Sequence, residues 1–257
     1  MRSRAAAALA GHADRLSRLV RAARAGDPEA VHDLRVTARR VETWLRLWDD
    51  AGDTEALRLR VRRVRRGAGA AREDEVLVGM LRDGRLGGEW VPRAMRLRWL
   101  ARLEAAPGRV RRLPSPRTVD AVAESLRDTA RRLRAGRGGG ARVSRRTDRW
   151  ARRARKRVAK ALGSGDMAAL HDARLAVKRW RYAVEAVGGA VARQAPEARR
   201  WQRVLGDAND RAALVAFARR QGREGRALAR RLEQARVAAI RSWRRRLGDP
   251  AAPSSAR

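Results

Sequence analysis

The 257-residue chain carries 63 lysines and arginines against 28 aspartates and glutamates, a formal charge of +35 that exceeds anything solubility asks of a domain this size. It has no cysteine, which excludes disulfides and thiolate metal sites, and no apolar run near the roughly 20 residues of a membrane span. What is left is a chain long enough to bury a substantial core and basic enough to need anionic partners.

The opening MRSRAAAALAGHA holds a brief alanine-rich stretch that runs straight into the charged helical pattern of Asp14 to Ala25. It is predicted as a first helix, about Ala5–Ala25, rather than a signal peptide. Apolar residues at helical spacing predict further helices over Pro28–Ala51, Thr54–Arg66, Glu73–Arg82, Pro92–Ala105, Val119–Leu133, Val143–Leu162, Met167–Val191, Pro196–Leu205, Asp210–Gln221 and Gly225–Leu247, with almost no strand pattern. Asp27 ahead of Pro28, and Asp166 ahead of Met167, are the expected helix caps. The stretch Pro107–Pro116 reads as a proline-rich basic loop, and Gly136–Gly140 as a hinge. The expectation is therefore one all-α domain over 1–248, with a first half at about 1–135, a second at about 141–248, and a disordered tail at 249–257.

Two segments repeat one unusual helix: GDPEAVHDLRVTARRVETWLRLW from Gly26 and GDMAALHDARLAVKRWRYAVEAV from Gly165. His32 matches His171, Arg35 matches Arg174, Arg39 matches Lys178 and Arg40 matches Arg179, without a slip in spacing. On a helix advancing about 100° per residue, Arg35, Arg39 and Arg46 fall within about 80° of His32, and Arg174, Lys178, Arg181 and Tyr182 within about 80° of His171. The opposite sides carry Leu34, Val41, Trp44, Leu45 and Trp48 in one copy and Ala173, Val177, Trp180 and Val184 in the other. A merely solvated face alternates acids with bases. These stripes nearly lack acids, with Glu42 and Glu185 the exceptions.

A second pair of matching elements follows: RRGAGAAREDEVLVGML from Arg65 and WQRVLGDANDRAALVAF from Trp201. Glycine with a small residue reads as a helix stop, and the acid a few positions later as the next start.

Together, the paired HDxR helices, the KRWRY continuation of the second copy and the WQRVLGDAND turn resemble the CHAD domain, the conserved histidine α-helical domain, over about Ala5–Leu247. The resemblance implies two pseudo-symmetric helical bundles facing a central basic cavity and binding of inorganic polyphosphate. Carried over by position, it implies that His32, Arg35, Arg39 and Arg40, then His171, Arg174, Lys178, Arg179, Arg181 and Tyr182, line or flank the cavity. Arg46, on the same stripe, completes the candidate set. The chain departs from the family pattern at Glu42, where a further arginine is typical, and in AREDEV, where an Arg-Asp pair is usual. Family members often follow a triphosphate tunnel domain with an ExExK motif, which does not occur here, so the chain reads as the binding module alone.

The residues support polyphosphate independently. Such a chain offers no bases or apolar groups and is gripped only through its oxygens, for which arginine forks suit better than point charges. All but Lys156, Lys160 and Lys178 of the lysines and arginines are arginine. Nonspecific nucleic-acid binding is the rival reading, since charge alone drives it. Against it, Trp44, Trp48 and Trp180 fall on apolar sides rather than as stacking platforms. Catalysis and metal binding rank third: an arginine three residues after each histidine repels a divalent ion, and no general base or carboxylate pair accompanies it. The expectation is a non-catalytic targeting or adaptor module without cofactor, metal or membrane contact, residing in the cytoplasm with polyphosphate granules as one setting. Oligomeric state and preferred polyphosphate length are left open.

Overall fold

The computed structural model describes residues 2–49, 54–84, 88–104, 113–136 and 139–247. Among them stand ten α-helices, two short 3-10 turns and no strand. The helices are α1 (Arg2–Arg24), α2 (Pro28–Trp48), α3 (Glu55–Gly67), α4 (Gly69–Asp83), α5 (Arg93–Glu104), α6 (Pro116–Ala135), α7 (Gly140–Ser164), α8 (Met167–Val187), α9 (Ala195–Arg219) and α10 (Gly222–Leu247). The 3-10 turns are Gly88–Trp90 and Gly189–Gln194. The expected tail at 249–257, most of the loop after Pro107 (107–112) and the middle of the hinge (137 and 138) lie outside the described residues.

Internal contacts divide the chain into two compact units. Unit 1 comprises Met1–Glu75, Ala106–Thr147 and Tyr182–Ala192; unit 2 comprises Val76–Ala105, Asp148–Arg181 and Arg193–Arg257. Neither is a contiguous half of the sequence, because α4, α7 and α8 each contribute residues to both.

In unit 1, α1 packs on α2 and α6, α2 on α3, and α3 on α6. The core between them holds Leu16, Leu34, Val41, Leu45, Val61 and Leu126. Each such side chain stabilises the fold by about 1.5–3 kcal/mol through removal of apolar surface from water. In unit 2, α9 packs on α10, and Leu77, Leu81, Trp99, Leu214, Phe217 and Leu228 share a core in which Trp99 meets Phe217 edge-on at 5.2 Å.

The two histidine helices have matching local causes. Each is 21 residues long with its histidine at the fifth position. Asp27 accepts the Ala30 N–H at 3.1 Å ahead of α2, and Asp166 accepts the Ala169 N–H at 2.8 Å ahead of α8, so both expected caps form. Helix α8 stops at Val187, short of the expected Val191, because Gly188 turns left-handed at φ 65° while its N–H closes on the Val184 carbonyl at 3.0 Å.

One sequence expectation is corrected. The helices predicted over Pro196–Leu205 and Asp210–Gln221 are a single helix, α9, that runs through Gly206. Buried Trp201, Leu205 and Ala208 carry the apolar spacing across the glycine, so tertiary packing outweighs its cost of about 1 kcal/mol. At the matching place in the first copy the chain does break, at Ala68 between α3 and α4.

Candidate anion-binding surface

A stripe on a helix is useful only if the helix cannot roll. In unit 1, the roll of α2 is set by Trp44, whose indole N–H donates to the Tyr182 carbonyl oxygen at 3.1 Å while the His12 ring of α1 abuts it edge-on at 5.0 Å. Leu34, Val41 and Leu45 are buried on that same side. His32, Arg35, Arg39 and Arg40 are thereby left half-buried, and Arg46 exposed near the helix end. That end is capped by Arg146, whose Nη1 donates to the carbonyl oxygens of Arg46 at 2.8 Å and of Leu47 and Asp49 at 3.0 Å. A cation there also complements the negative end of the helix dipole.

Arg40 is held in place from α8. Its guanidinium lies over the Tyr182 ring at 5.6 Å, and its Nε is 3.4 Å from Glu185 Oε2. Tyr182 itself is only 2% exposed, so it supports the cation from beneath while Arg40 presents the charge. Glu42, the acid that breaks the family pattern, accepts from Arg65 Nε of α3 at 3.0 Å. Its charge is therefore largely cancelled locally instead of standing bare on the stripe.

In unit 2, the roll of α8 is set by Trp180, which is fully buried. Its indole N–H donates to Gln194 Oε1 at 2.8 Å, and Gln194 in turn donates to Asp148 at 2.7 Å. Arg155 stacks on the same indole at 5.1 Å and binds Glu197 through two bonds, at 2.8 and 2.5 Å. That bidentate bond pushes the Arg155 pKa up and locks the guanidinium in its charged form. At the start of α8, the buried Arg236 grips Glu233 twice and reaches the Gly165 carbonyl at 3.5 Å. Hydrogen bonding from Arg236 holds the Glu233 carboxyl below the usual carboxylate range. With α8 so fixed, Arg174, Lys178, Arg179 and Arg181 are half-buried, His171 is exposed, and Arg179 lies over the Trp150 ring at 5.9 Å.

Both apolar sides read from the sequence are thus the buried sides, and every candidate cation lies away from them. A cavity of about 190 Å³ in unit 1 belongs to the apolar side of α2: Trp44, Leu45 and Trp48 line it together with Ala5, Leu9 and Leu133. It is distinct from the stripe. Among the described residues no group of three or more His, Asp or Glu side chains is arranged to hold a metal ion, and no helix is long and apolar enough to cross a membrane. The chemistry on offer is charge-assisted hydrogen bonding from forked cations to oxyanions.

Sequence reasoning missed two residues on α1. Arg15 is ion-paired with Asp33 of α2, and His12 contacts Trp44, so both stand at the edge of the stripe in unit 1. The signal was present: HADR at His12 has the same His-to-Arg spacing as HDLR at His32 and HDAR at His171. It lacks the flanking repeat, and without the fold nothing places α1 beside α2.

A family model, that of the CHAD domain, matches residues 7–219. The chain is also similar in fold to the crystal structure of the CHAD domain from the plant Ricinus communis. That match has a TM-score of 0.56 at 23% identity and covers 96% of this chain and 88% of the other. No curated protein matches the chain.

Proposed function

The chain belongs to the CHAD domain family, and on that premise we propose that it binds inorganic polyphosphate through the cationic stripes of α2 and α8, without catalysis of its own. The observation that carries this reading is the paired anchoring of the two histidine helices. Trp44 and Trp180 are each tied to a fixed acceptor, so the helices turn a histidine and several cations away from their cores. A polyanion with no bases and no apolar surface is recognised by such an array and by little else. A ligand long enough to hold both stripes would gain affinity well beyond that of either stripe. We further propose that the module acts in the cytoplasm as a targeting or adaptor element, at polyphosphate granules or beside an enzyme that uses polyphosphate.

Nucleic acid is the second reading, favoured by the charge of +35 alone. Most of the aromatic side chains weigh against it, Trp90 being the exposed exception. Trp180, Trp201, Tyr182 and Phe217 are all buried, where none can stack on a base. Competition at one fixed salt concentration separates the readings: protein loaded with fluorescent DNA is titrated with long polyphosphate, short polyphosphate, triphosphate and unlabelled DNA. The polyphosphate reading expects long polyphosphate to displace the probe at a far lower phosphate concentration than unlabelled DNA does. Equal potency per phosphate would mean a diffuse polyanion binder.

A further inference from the structure

Among the described residues neither ring nitrogen of His12 has a hydrogen-bond partner, although the ring is half-buried against Trp44. The charges that act on it most are those of Arg40 on α2 and of Arg15, one turn along its own helix. The acids of the cluster pair with these same cations and not with the imidazole: Asp33 with Arg15, and Glu185, from α8, with Arg40. The other groups packed on this corner, Trp44 and the Tyr182 carbonyl, satisfy each other. An imidazole with a free donor, two cations beside it and no acceptor is complementary to an oxyanion.

We propose that His12, Arg15 and Arg40 form a further phosphoryl-binding position in unit 1, supplied largely by α1 and adjoining the stripe of α2. The inference rests on the polyphosphate reading above. The imidazole N–H donates to one phosphoryl oxygen, while the guanidinium forks, partly released from Asp33 and Glu185, take others. In the unliganded protein, burial first, then Arg40 and Arg15, holds the His12 pKa down at about 4. An anion over the arginines cancels their share of that depression, so His12 takes up a proton as the ligand binds. Affinity then rises as the pH falls toward the raised value. Internal phosphates of a long chain do not titrate in this range, so the dependence reports the protein.

The test has two arms. Histidine NMR titration, with His12 assigned by its Overhauser contact to the Trp44 ring, is run with and without saturating triphosphate. The His12 pKa is expected to rise by at least about one unit, equivalent to about tenfold coupling. In the second arm, long polyphosphate is bound by wild type, His12→Gln and Arg15→Gln at pH 4.5 and pH 8, with each variant's melting checked at both pH values. Wild type is expected to tighten on acidification several-fold more than His12→Gln. A His12 pKa that stays put while calorimetry registers bound triphosphate overturns this inference alone, as does an equal pH dependence in the variant. If wild type binds neither triphosphate nor long polyphosphate, the functional reading fails and this position fails with it.

Discussion

The indole N–H of Trp44 on α2 donates to the backbone carbonyl of Tyr182 on α8 at 3.1 Å, and the ring of that same Tyr182 carries Arg40 of α2 at 5.6 Å. One residue thus fixes the roll of a helix and the position of a cation that the roll presents. Trp44→Phe keeps most of the packing and removes the indole bond, while the carbonyl keeps its place in the hydrogen-bond ladder of α8. It is expected to cost about 0.5–1.5 kcal/mol in urea unfolding and to weaken polyphosphate binding through Arg40. Unchanged stability would mean that packing alone sets the roll.

Arg146 tests the other end of α2. Its three bonds to carbonyl oxygens are charge-assisted and sit at the negative end of the helix dipole. Arg146→Ala should destabilise by about 2 kcal/mol or more, and Arg146→Lys by less, since a lysine restores the charge without the fork. The comparison is made by chemical denaturation at neutral pH.

His12 gives stability a pH dependence. Its folded pKa is about 4, below the ordinary histidine value of 6.5, so above pH 6.5 it is neutral in both states and costs nothing. As the pH falls from 6.5 to 4, the unfolded chain takes up a proton that the folded chain refuses, and stability declines by on the order of 3 kcal/mol. Below pH 4 the contribution levels off. His12→Gln should flatten this slope in melting measurements across that range. A variant with the wild-type slope would assign the acid sensitivity to other groups.

How far the sequence reached depends on what kind of order was asked of it. The buried sides of α2 and α8 were legible because Leu34, Val41, Val177 and Trp180 keep a helical period, and the caps Asp27 and Asp166 because capping is local. The sequence reads Gly206 as a helix stop because glycine is a weak helix former, whereas the buried spacing of Trp201, Leu205 and Ala208 carries α9 through it. The partners that lock each stripe were illegible because they are distant in sequence. Nothing in the sequence says that Gln194 meets both Trp180 and Asp148, or that Arg65 neutralises Glu42. His12 was visible but unplaced, since only the packing of α1 on α2 brings it to Trp44.

The neutralisation of Glu42 bears on the balance between the two stripes. From the sequence, Glu42 should make the α2 stripe the weaker one; with Arg65 bound to it, the difference should be small. Arg35→Ala with Arg39→Ala, and Arg174→Ala with Lys178→Ala, should therefore weaken long-chain binding by factors within about fivefold of each other. If one long chain holds both stripes, both double variants should lose far more affinity for long polyphosphate than for triphosphate. Equal losses for long and short ligands would make the stripes independent sites.

The central claim is that placement of the cations, and not their number, makes the binding. It is tested most directly by titrating long polyphosphate, at one fixed salt concentration, into two variants with the same net charge. One carries alanine at Arg35, Arg39, Arg174 and Lys178; the other carries alanine at the exposed Arg219, Arg223, Arg230 and Arg231. The stripe variant should bind at least about 100-fold more weakly than wild type, and the peripheral variant within about fivefold of it, since four charge-assisted bonds are lost in one case and only screened field in the other. Equal weakening in the two variants would contradict the account and leave a basic surface that holds any polyanion by charge.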